Sequence, residues 1–361
     1  MGTSILDQLD RYGPEHCPAS TPEQASAYVQ ELARTHYENF SVVSWFLPQR
    51  LRTDFRHVYA FCRWADDLGD EAGSPQRSLE LLGWWRRELD LCYAGAPRHP
   101  VFVALKPTVD RHGIPRKPFD DLIDAFEQDQ RINRYRSWSQ VLDYCKRSAD
   151  PVGRLVLYLC GYRDTQRQEL SDATCTALQL ANFWQDVRRD ILERDRVYLP
   201  SEIASDHGLD VDTLVAAVKA DATGSATAAC CDGRRLPGVG VTALLGPYRQ
   251  TLRDLCDRTW PLFVSGRRLW PLVARDVRLD IQLFTLGGEA VLRMIRARGY
   301  DTLTSRPSVS KPAKLGLMMR ALASKWLGVG LGRDAVEAVD SGTGASPAKL
   351  DGGLAGGKGA R

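Results

Sequence analysis

Two acidic segments share one pattern: Tyr59-Ala-Phe-Cys-Arg-Trp-Ala-Asp-Asp-Leu-Gly-Asp70 and, more than a hundred residues later, Gln179-Leu-Ala-Asn-Phe-Trp-Gln-Asp-Val-Arg-Arg-Asp190. Both lie in apolar sequence of helical periodicity, so each is predicted to form a helix. Residues three and four apart lie on one face of a helix. The first segment therefore presents a row made of Tyr59, Arg63, Asp66 and Asp70. The second presents a matching row made of Gln179, Asn182, Asp186 and Asp190.

Rows of carboxylates are unfavourable on helices that are otherwise apolar. Like charges one turn apart destabilise an exposed helix by about 0.2–0.5 kcal/mol per pair, and their repulsion increases as the local dielectric constant falls. A bound cation removes this repulsion, and carboxylate, phosphate and water oxygens are the ligands that Mg²⁺ prefers. We therefore predict that the two rows face each other and hold Mg²⁺ with a diphosphate group, whose departure from an allylic carbon the metal would assist.

The alternative interpretation of each acidic segment is a solvated helix face. One Asp-Asp-x-x-Asp segment alone would favour that alternative, because most acidic clusters on helices face water. Two segments favour the metal site, since both lie in apolar helices and each carries Arg63 or Asn182 one turn before its first aspartate of the row. Asp67 lies about 100° around the helix from the first row. We therefore expect Asp67 to support a ligand from behind or to cap the helix, not to bind metal.

The composition is that of a globular protein and excludes several classes. The chain has 361 residues, of which 43% are hydrophobic and 26% charged, and its net charge of +3 argues against a nucleic-acid partner. The nine cysteines include no Cys-x-x-Cys pair and no zinc-type spacing, so a reducing, cytoplasmic location is expected. No membrane span or signal peptide is predicted.

Helical periodicity dominates the chain, and the predicted fold class is all-α. The predicted helices are Ala25–Tyr37, a helix opened by Pro48 that carries the first row, Ser78–Tyr93, Phe119–Asn133, Ser139–Leu159 with an interruption at Pro151, Leu170–Glu193, Pro247–Leu272 and Val277–Arg298. Residues 221–240 are rich in Ala, Thr, Gly and Cys and are predicted to form an inter-helix loop.

We expect a single domain over residues 21–300, preceded by an N-terminal extension over residues 1–20. Residues 301–361 are expected to contain a basic amphipathic segment and then a disordered Gly/Ala-rich tail. Residues 311–327 mix Lys and Arg with Leu, Met and Trp, a combination that favours peripheral contact with an anionic membrane surface at the inner face of the membrane. Packing of this segment on the domain is the alternative.

The two acidic segments resemble the motifs of the squalene and phytoene synthase family. Two further blocks carry the resemblance, Tyr144-Cys-Lys-Arg-Ser-Ala-Asp-Pro-Val-Gly153 and Arg196-Val-Tyr-Leu-Pro200, and the similarity runs from about Ala25 to about Arg298. The resemblance implies an isoprenoid synthase fold like that of class I terpenoid synthases, a helical bundle around a central apolar cavity. It also implies Mg²⁺ as cofactor and a small-molecule prenyl diphosphate as substrate.

Within that family, the chain is most similar to the bacterial hydroxysqualene synthase branch of hopanoid biosynthesis. The segments that carry this similarity are His36-Tyr-Glu-Asn-Phe-Ser-Val42, Pro151-Val-Gly-Arg154 and Asn182-Phe-Trp-Gln-Asp186. The similarity implies that presqualene diphosphate is ionised, rearranged and quenched by water to give hydroxysqualene. Other enzymes of the squalene and hopanoid pathway are then candidate partners.

The resemblance also implies roles for individual residues. The ligands of the Mg²⁺–diphosphate cluster would be Asp66, Asp70, Asn182, Asp186 and Asp190, which are catalytic in that sense. The diphosphate would be contacted by Tyr59, Arg63, Gln179 and, with less support, Arg196. The second prenyl site would be lined by His36, Asn39 and Phe40, and the loop that closes the site would contribute Tyr198.

Gln185 departs from the family pattern. Many members have Arg immediately before the aspartate of the second motif, where this chain has Gln185. Loss of that cation should weaken the binding of a second diphosphate, which suits a substrate that carries only one, such as presqualene diphosphate. Ordinary drift at this position is the alternative explanation.

Three other functions are compatible with the sequence. A member of the same family would join two farnesyl diphosphates to presqualene diphosphate or squalene, or, with less support, make a phytoene-like product. A terpene cyclase has a metal motif similar to Asn182-x-x-x-Asp186-x-x-x-Asp190, but with Glu at the last position and with a first motif that lies farther from the chain start. A catalytically inactive helical assembly factor would keep the fold, although such relatives usually lose the acidic residues that this chain retains.

Overall fold

The computed structural model describes residues 5–35, 48–224, 227–229, 235–237 and 240–304. Its architecture is all-α apart from one short hairpin, which confirms the predicted fold class. The helices are α1 (Leu9–Tyr12), α2 (Pro22–Thr35), α3 (Gln49–Asp70), α4 (Pro75–Tyr93), α5 (Pro100–His112), α6 (Lys117–Asp129), α7 (Trp138–Ser148), α8 (Asp150–Leu159), α9 (Thr165–Arg194), α10 (Ser201–Asp206), α11 (Val211–Thr223), α12 (Val241–Gly266) and α13 (Arg275–Ala297). Short 3₁₀ helices cover Leu6–Gln8 and Arg267–Leu272. In these ranges, no helix is both long and apolar enough to cross a bilayer.

Two large hydrophobic cores hold the described helices together. The first lies among α2–α6 and includes Trp64 and Trp85, whose fully buried indole rings stack 5.2 Å apart. Ile5 is fully buried in this core, so the chain ahead of α2 packs on the same helices. The second lies among α7 and α9–α13 and includes the fully buried Trp184 and Tyr248. Burial of such large side chains is the main force that assembles the helices.

Helices α3 and α9 carry the two acidic rows and are joined at both ends. A smaller core contains Leu51 near the start of α3 and Leu170 near the start of α9. At their other ends, Asp70 of α3 is ion-paired with Arg194 of α9. The two helices therefore run in the same direction, and this arrangement brings the acidic ends of both rows to one region of the molecule.

Helix α8 bridges the two acidic helices, because it packs against both α3 and α9. Gly153 lies where α8 approaches α9 most tightly: a Cβ atom at this position would overlap Ser171 Oγ and lie 2.5 Å from Cys175 Sγ. The absence of a side chain at position 153 thus sets the distance between the helices. The Pro151-Val-Gly153 segment therefore contributes to packing between helices, whatever else it does.

The second acidic helix, α9, is long because a capping residue begins it and no helix-breaking residue interrupts it before its left-handed end. Asp164 caps the helix, accepting a hydrogen bond from the backbone N–H of Arg167 at 3.0 Å. The helix then continues for 30 residues with no proline or glycine inside. It ends where Asp195 adopts a left-handed conformation with φ 52°.

Three sequence predictions differ from the observed elements. Residues 139–159 form two helices instead of one, because Pro151 occupies the first turn of α8 and the chain breaks at Ala149. Helices α1, α5, α10 and α11 were not predicted, and α5 was missed because it begins with a proline and contains Pro107. The prediction of a loop over residues 221–240 is wrong in part: α11 extends to Thr223, and strands β1 (Thr227–Ala229) and β2 (Arg235–Pro237) pair antiparallel, with Thr227 opposite Pro237.

A methyl group at position 153 should force α8 and α9 apart. We expect Gly153→Ala to lower the free energy of unfolding by ~1–3 kcal/mol through overpacking. Gly287→Ala is the matched control, because a Cβ at position 287 of α13 meets open space and should instead stabilise the helix by about 0.5–1 kcal/mol. Urea unfolding of both variants measures the difference, and equal behaviour of the two variants would contradict the proposed contact.

Candidate active site

The first acidic row lies along the second half of α3. Tyr59 and Arg63 are half-buried, the Asp66 side chain is 45% exposed and the Asp70 side chain is 12% exposed. Desolvation by the surrounding protein and the nearby carboxylate of Asp70 raise the pKa of Asp66 to about 6. The two aspartates are therefore close enough to repel each other, as the one-turn spacing predicts.

Asp67 is buried behind this row and binds Arg63. Arg63 Nε donates a hydrogen bond to Asp67 Oδ2 at 3.0 Å, and its Nη2 lies 2.5 Å from Oδ1. Such a bidentate pair fixes the orientation of the guanidinium, whose Nη1 lies 3.8 Å from Asp66. Burial raises the pKa of Asp67 to about 7 even though Arg63 opposes the shift. Asp67 therefore lies off the row, as expected, and orients Arg63.

The second acidic row lies along α9 and becomes more buried towards its end. Gln179 is half-buried and Asn182 is exposed, whereas the Asp186 side chain is 15% exposed and Asp190 is buried. Burial and the neighbouring carboxylate of Asp186 raise the pKa of Asp190 to about 7. Asp186 and Asp190 thus form a second repelling pair of carboxylates one turn apart.

Asp70 is the point where the two rows meet. Its Oδ1 accepts a hydrogen bond from Arg196 Nη1 at 2.9 Å, and its Oδ2 lies 2.8 Å from Arg194 Nη2. Arg194 is the last residue of α9, and Arg196 follows it two positions later. Both arginines also lower the pKa of Asp190, against the effect of burial. One cation at the end of α9 and one just after it therefore hold the end of the first row beside the end of the second.

Asp129 lies at the end of α6 and belongs to neither motif, so it was not among the predicted site residues. Its Oδ2 accepts a hydrogen bond from the Tyr144 hydroxyl at 2.7 Å and lies 3.5 Å from Arg196 Nη1. Its Oδ1 is buried and has no hydrogen-bond partner among the described residues. Burial raises the pKa of Asp129 to about 7, although Arg196 and Tyr144 oppose the shift. The only indication of Asp129 in the sequence is its partner Tyr144, the first residue of the segment Tyr144–Gly153 that resembles the family.

An aromatic wall, formed by Tyr135, Tyr144, Phe183 and Tyr198, lies next to Asp129. The Tyr198 ring stacks on Phe183 with centroids 3.6 Å apart, and the rings of Tyr135 and Tyr144 lie 5.4 and 5.5 Å from it. All four side chains are buried. Burial raises the pKa of Tyr198 well above its usual range, so its hydroxyl stays protonated at neutral pH.

The remaining predicted residues lie apart from this cluster or outside the described ranges. Gln185 borders a shallow cleft on α9, lined also by Asp186, Arg188, Arg189, Leu192, Glu193 and Thr302. Arg189 lies one turn after Gln185, so a cation is present near the position where many relatives carry Arg. His36, Asn39, Phe40 and residues 311–327 lie outside the residues that the structure describes, and their roles stay predictions.

The squalene/phytoene synthase family model matches residues 33–233, more than half of the chain, and this span includes both acidic rows, Asp129 and Tyr198. The chain belongs to the squalene/phytoene synthase family. The prediction of an isoprenoid synthase is thereby confirmed.

Curated relatives of this synthase include two hydroxysqualene synthases. One, from Rhodopseudomonas palustris, is 31% identical over 308 residues, which cover 82% of this chain and 94% of that enzyme. The other, from Sinorhizobium fredii, is 38% identical over 181 residues, which cover 50% of this chain and 61% of that enzyme. The chain therefore spans less than two thirds of the second relative, but nearly all of the first.

Solved structures show the same fold. The squalene synthase HpnC from Alicyclobacillus acidocaldarius is 40% identical, with a TM-score of 0.67 over 78% of this chain and 96% of that chain. A dehydrosqualene synthase in complex with a ligand has the same TM-score at 22% identity and supports the fold alone. The all-helical terpenoid synthase-like architecture of this synthase is thus shared with experimental structures.

The donor set of this synthase suits Mg²⁺ in kind. Asp66 and Asp70 on α3, and Asp186 and Asp190 on α9, offer carboxylate oxygens in pairs one turn apart, and Mg²⁺ uses one or two carboxylates with phosphate and water. Across the described ranges, no three His, Cys, Asp or Glu side chains are already gathered at metal-binding distance. Each oxygen of Asp70 contacts an arginine instead.

Replacing the buried Asp129 should change how stability depends on pH. The carboxyl of a folded Asp129 titrates at about 7, whereas an unfolded Asp titrates near about 3.9. Between these values the folded state binds more protons, so this group's contribution to stability falls as pH rises from about 4 to about 7. The free energy of unfolding of wild type minus that of Asp129→Asn should therefore decrease over this range, by at most ~1.4 kcal/mol per pH unit.

Urea unfolding at half-unit steps from pH 4.5 to pH 8 measures this difference. Asp257→Asn, which removes an exposed carboxylate from α12, controls for the loss of one negative charge. A difference between wild type and Asp129→Asn that stays constant with pH would show that Asp129 titrates normally in the folded protein.

Proposed function

We propose that this synthase is a hydroxysqualene synthase that ionises presqualene diphosphate with Mg²⁺, rearranges the cation and adds water, releasing hydroxysqualene and diphosphate. The observation that carries the proposal is the convergence of the two acidic rows on Arg194 and Arg196, next to a buried aromatic wall. The hydroxysqualene synthase of Rhodopseudomonas palustris, matched over 94% of its length, supports this choice within the family.

The residues at the convergence would bind the charged end of the substrate. The Mg²⁺ ligands would be Asp66, Asp70, Asn182, Asp186 and Asp190. Once bound, Mg²⁺ would supply the positive charge that stabilises the departing diphosphate. The direct contacts to the diphosphate would come from Tyr59, Arg63, Gln179 and Arg196. The second prenyl chain would lie on His36, Asn39 and Phe40.

The aromatic wall would govern what happens to the carbocation. Ring faces attract positive charge, and a dry, apolar wall keeps water away until the cation has rearranged. Because its pKa is raised, Tyr198 would act as a neutral hydrogen-bonding group beside the cation and not as an anion. The proton lost when water adds to the cation needs an acceptor, and Asp129 Oδ1 suits that role because the pKa of Asp129 is about 7.

Squalene formation from two farnesyl diphosphates is the second candidate function. The observation that favours it is the 40% identity to a structure described as a squalene synthase. Gln185 supplies no positive charge for a second diphosphate, which disfavours this candidate. Arg189, which lies beside it, supplies such a charge and favours it. Condensation of two farnesyl diphosphates only as far as presqualene diphosphate is a variant of the same candidate.

The proposed setting is the cytoplasm, with peripheral contact to the inner membrane face through residues 311–327. This location suits substrates and products that dissolve in lipid. The catalytic domain would span residues 21–300, and other enzymes of the squalene and hopanoid pathway would act on the same lipids before and after it.

The product assay tests the proposed function directly. Purified protein with Mg²⁺ and presqualene diphosphate should yield hydroxysqualene in the absence of NADPH, as followed by extraction and mass spectrometry of the lipids. Parallel incubations with farnesyl diphosphate, with and without NADPH, separate the second candidate. If presqualene diphosphate stays unchanged and squalene forms from farnesyl diphosphate, the proposal of hydroxysqualene synthesis is wrong and the second candidate function is supported.

Replacement of Asp190, the last carboxylate of the second row, should lower kcat. We expect Asp190→Asn to lower kcat by about 10²–10³-fold, the usual effect of removing one group that stabilises charge in a transition state. Asp221→Asn, which removes an aspartate from α11 that pairs with Arg188, should leave kcat within about twofold. Similar rates for Asp190→Asn and Asp221→Asn would exclude Asp190 from the metal site.

A further inference from the structure

Arg194 and Arg196 reach the same carboxylate because of the conformation of the residue between them. Asp195 has φ 52°, a left-handed conformation that reverses the chain at the end of α9. Consequently the side chains on both sides of it point to Asp70, one to each oxygen. A helical residue at position 195 would place the two arginines about 200° apart around the helix axis, so they could not both reach Asp70.

Hydrogen bonds and ion pairs of its carboxylate hold Asp195 in this left-handed conformation. Its Oδ1 lies 2.9 Å from Arg134 Nη2 and 2.7 Å from Lys219 Nζ, and its Oδ2 accepts a hydrogen bond from Asn133 Nδ2 at 3.2 Å. Arg134 also donates to the carbonyl of Asp195, and the backbone N–H of Val197 donates to the carbonyl of Asn133 at 2.9 Å. Two neighbouring elements therefore fix the turn that aims both arginines.

The two arginines differ in how firmly they are held. Arg196 is buried and is shared between Asp70 and Asp129, so it has little freedom to leave. The Arg194 side chain is 38% exposed and makes its ion pair with Asp70 from the solvent side. Arg194 is therefore the member of the pair that an anion arriving from solvent reaches first.

While both arginines bind Asp70, each of its oxygens contacts one guanidinium, and the two positive charges repel a cation that approaches the carboxylate. We propose that Arg194 and Arg196 form a latch on Asp70 which opens when a diphosphate draws Arg194 away, so that divalent cation and diphosphate each promote binding of the other. This inference rests on the proposed function, in which Asp70 is a metal ligand. Arg194 would then be a positioning residue, which weakens metal binding at Asp70 until the phosphate-bearing substrate arrives.

If the latch exists, replacing Arg194 should raise the affinity for Mg²⁺ alone but reduce the gain in Mg²⁺ affinity that diphosphate brings. Arg194→Gln should bind Mg²⁺ alone more tightly than wild type, because Asp70 loses one competing cation, but should gain less affinity for Mg²⁺ when inorganic diphosphate is present. In wild type we expect that gain to be about 5-fold or more, the lower end of typical coupling between two ligands. Isothermal titration of Mg²⁺ with and without saturating diphosphate measures both quantities, and no turnover is required.

Two comparisons separate the latch from general electrostatics. Arg188→Gln removes the same charge from the same helix, but Arg188 pairs with Asp221, so its Mg²⁺ affinity should stay within about twofold of wild type. In an Asp70→Asn background, Arg194→Gln should have a clearly smaller effect on Mg²⁺ affinity, because a double-mutant cycle isolates the part of the effect that acts through Asp70. The part that remains acts through Asp190 and Asp66. Asp195→Gly keeps the turn but loses its side-chain anchors, and should resemble Arg194→Gln.

Each outcome has a distinct meaning. The latch is overturned if wild type binds Mg²⁺ and diphosphate but Arg194→Gln and Arg188→Gln behave alike, or if Arg194→Gln weakens binding of Mg²⁺ alone. It is also overturned if the effect of Arg194→Gln is equally large without the Asp70 carboxylate. Failure of wild type to bind Mg²⁺ even with diphosphate would instead contradict the proposed function. Thermal unfolding of each variant verifies that the compared proteins are folded, and Arg194→Lys, which keeps the charge, should restore part of the wild-type coupling.

Discussion

The carboxylate of Asp70 and the two arginines that bind it are the interaction on which this site depends. Four aspartates (Asp66, Asp70, Asp129 and Asp190) lie near one another in partly or fully buried positions, and such a group is unstable without compensating positive charge. Arg194 and Arg196 supply that charge from within the protein. They also connect the ends of α3 and α9, so the same contact that balances the charges sets the relative position of the two acidic rows.

This arrangement lowers the electrostatic cost of placing the two acidic rows side by side. Burial and mutual repulsion raise the pKa values of Asp66 and Asp190 towards neutrality, which lowers the electrostatic cost of keeping them close. The arginines lower that cost further. A site built in this way stores electrostatic repulsion that binding of a divalent cation and an anionic substrate can relieve, which is how preorganised charge serves ionisation chemistry.

Much of the site follows from the sequence because helical spacing is local. The three- and four-residue spacing placed Asp66 and Asp70, and Asp186 and Asp190, in pairs on common faces, and it placed Asp67 off the row. What the spacing could not provide is the side chains that other elements bring in. Asp129 comes from α6, and Arg194 lies just beyond the predicted end of the second acidic helix at Glu193 and was not predicted to have a role.

The tertiary contacts that were missed have identifiable physical causes. The aromatic wall needs the turn at Asp195 to fold Tyr198 back onto Phe183, and a left-handed aspartate has no clear sequence signature. Helix α5 was missed because two prolines usually oppose a helix, although a proline in the first turn is compatible with one. The tight approach of α8 to α9 depends on Gly153, whose role is visible only when Ser171 and Cys175 are placed beside it.

A crystal structure of the protein with Mg²⁺ and inorganic diphosphate tests the central claim most directly. Metal ions should be bound by Asp70 and by aspartates of the second row, and the Arg194 guanidinium should have moved from Asp70 to a phosphate oxygen. A complex in which both arginines still hold Asp70, with the diphosphate bound elsewhere, would contradict it.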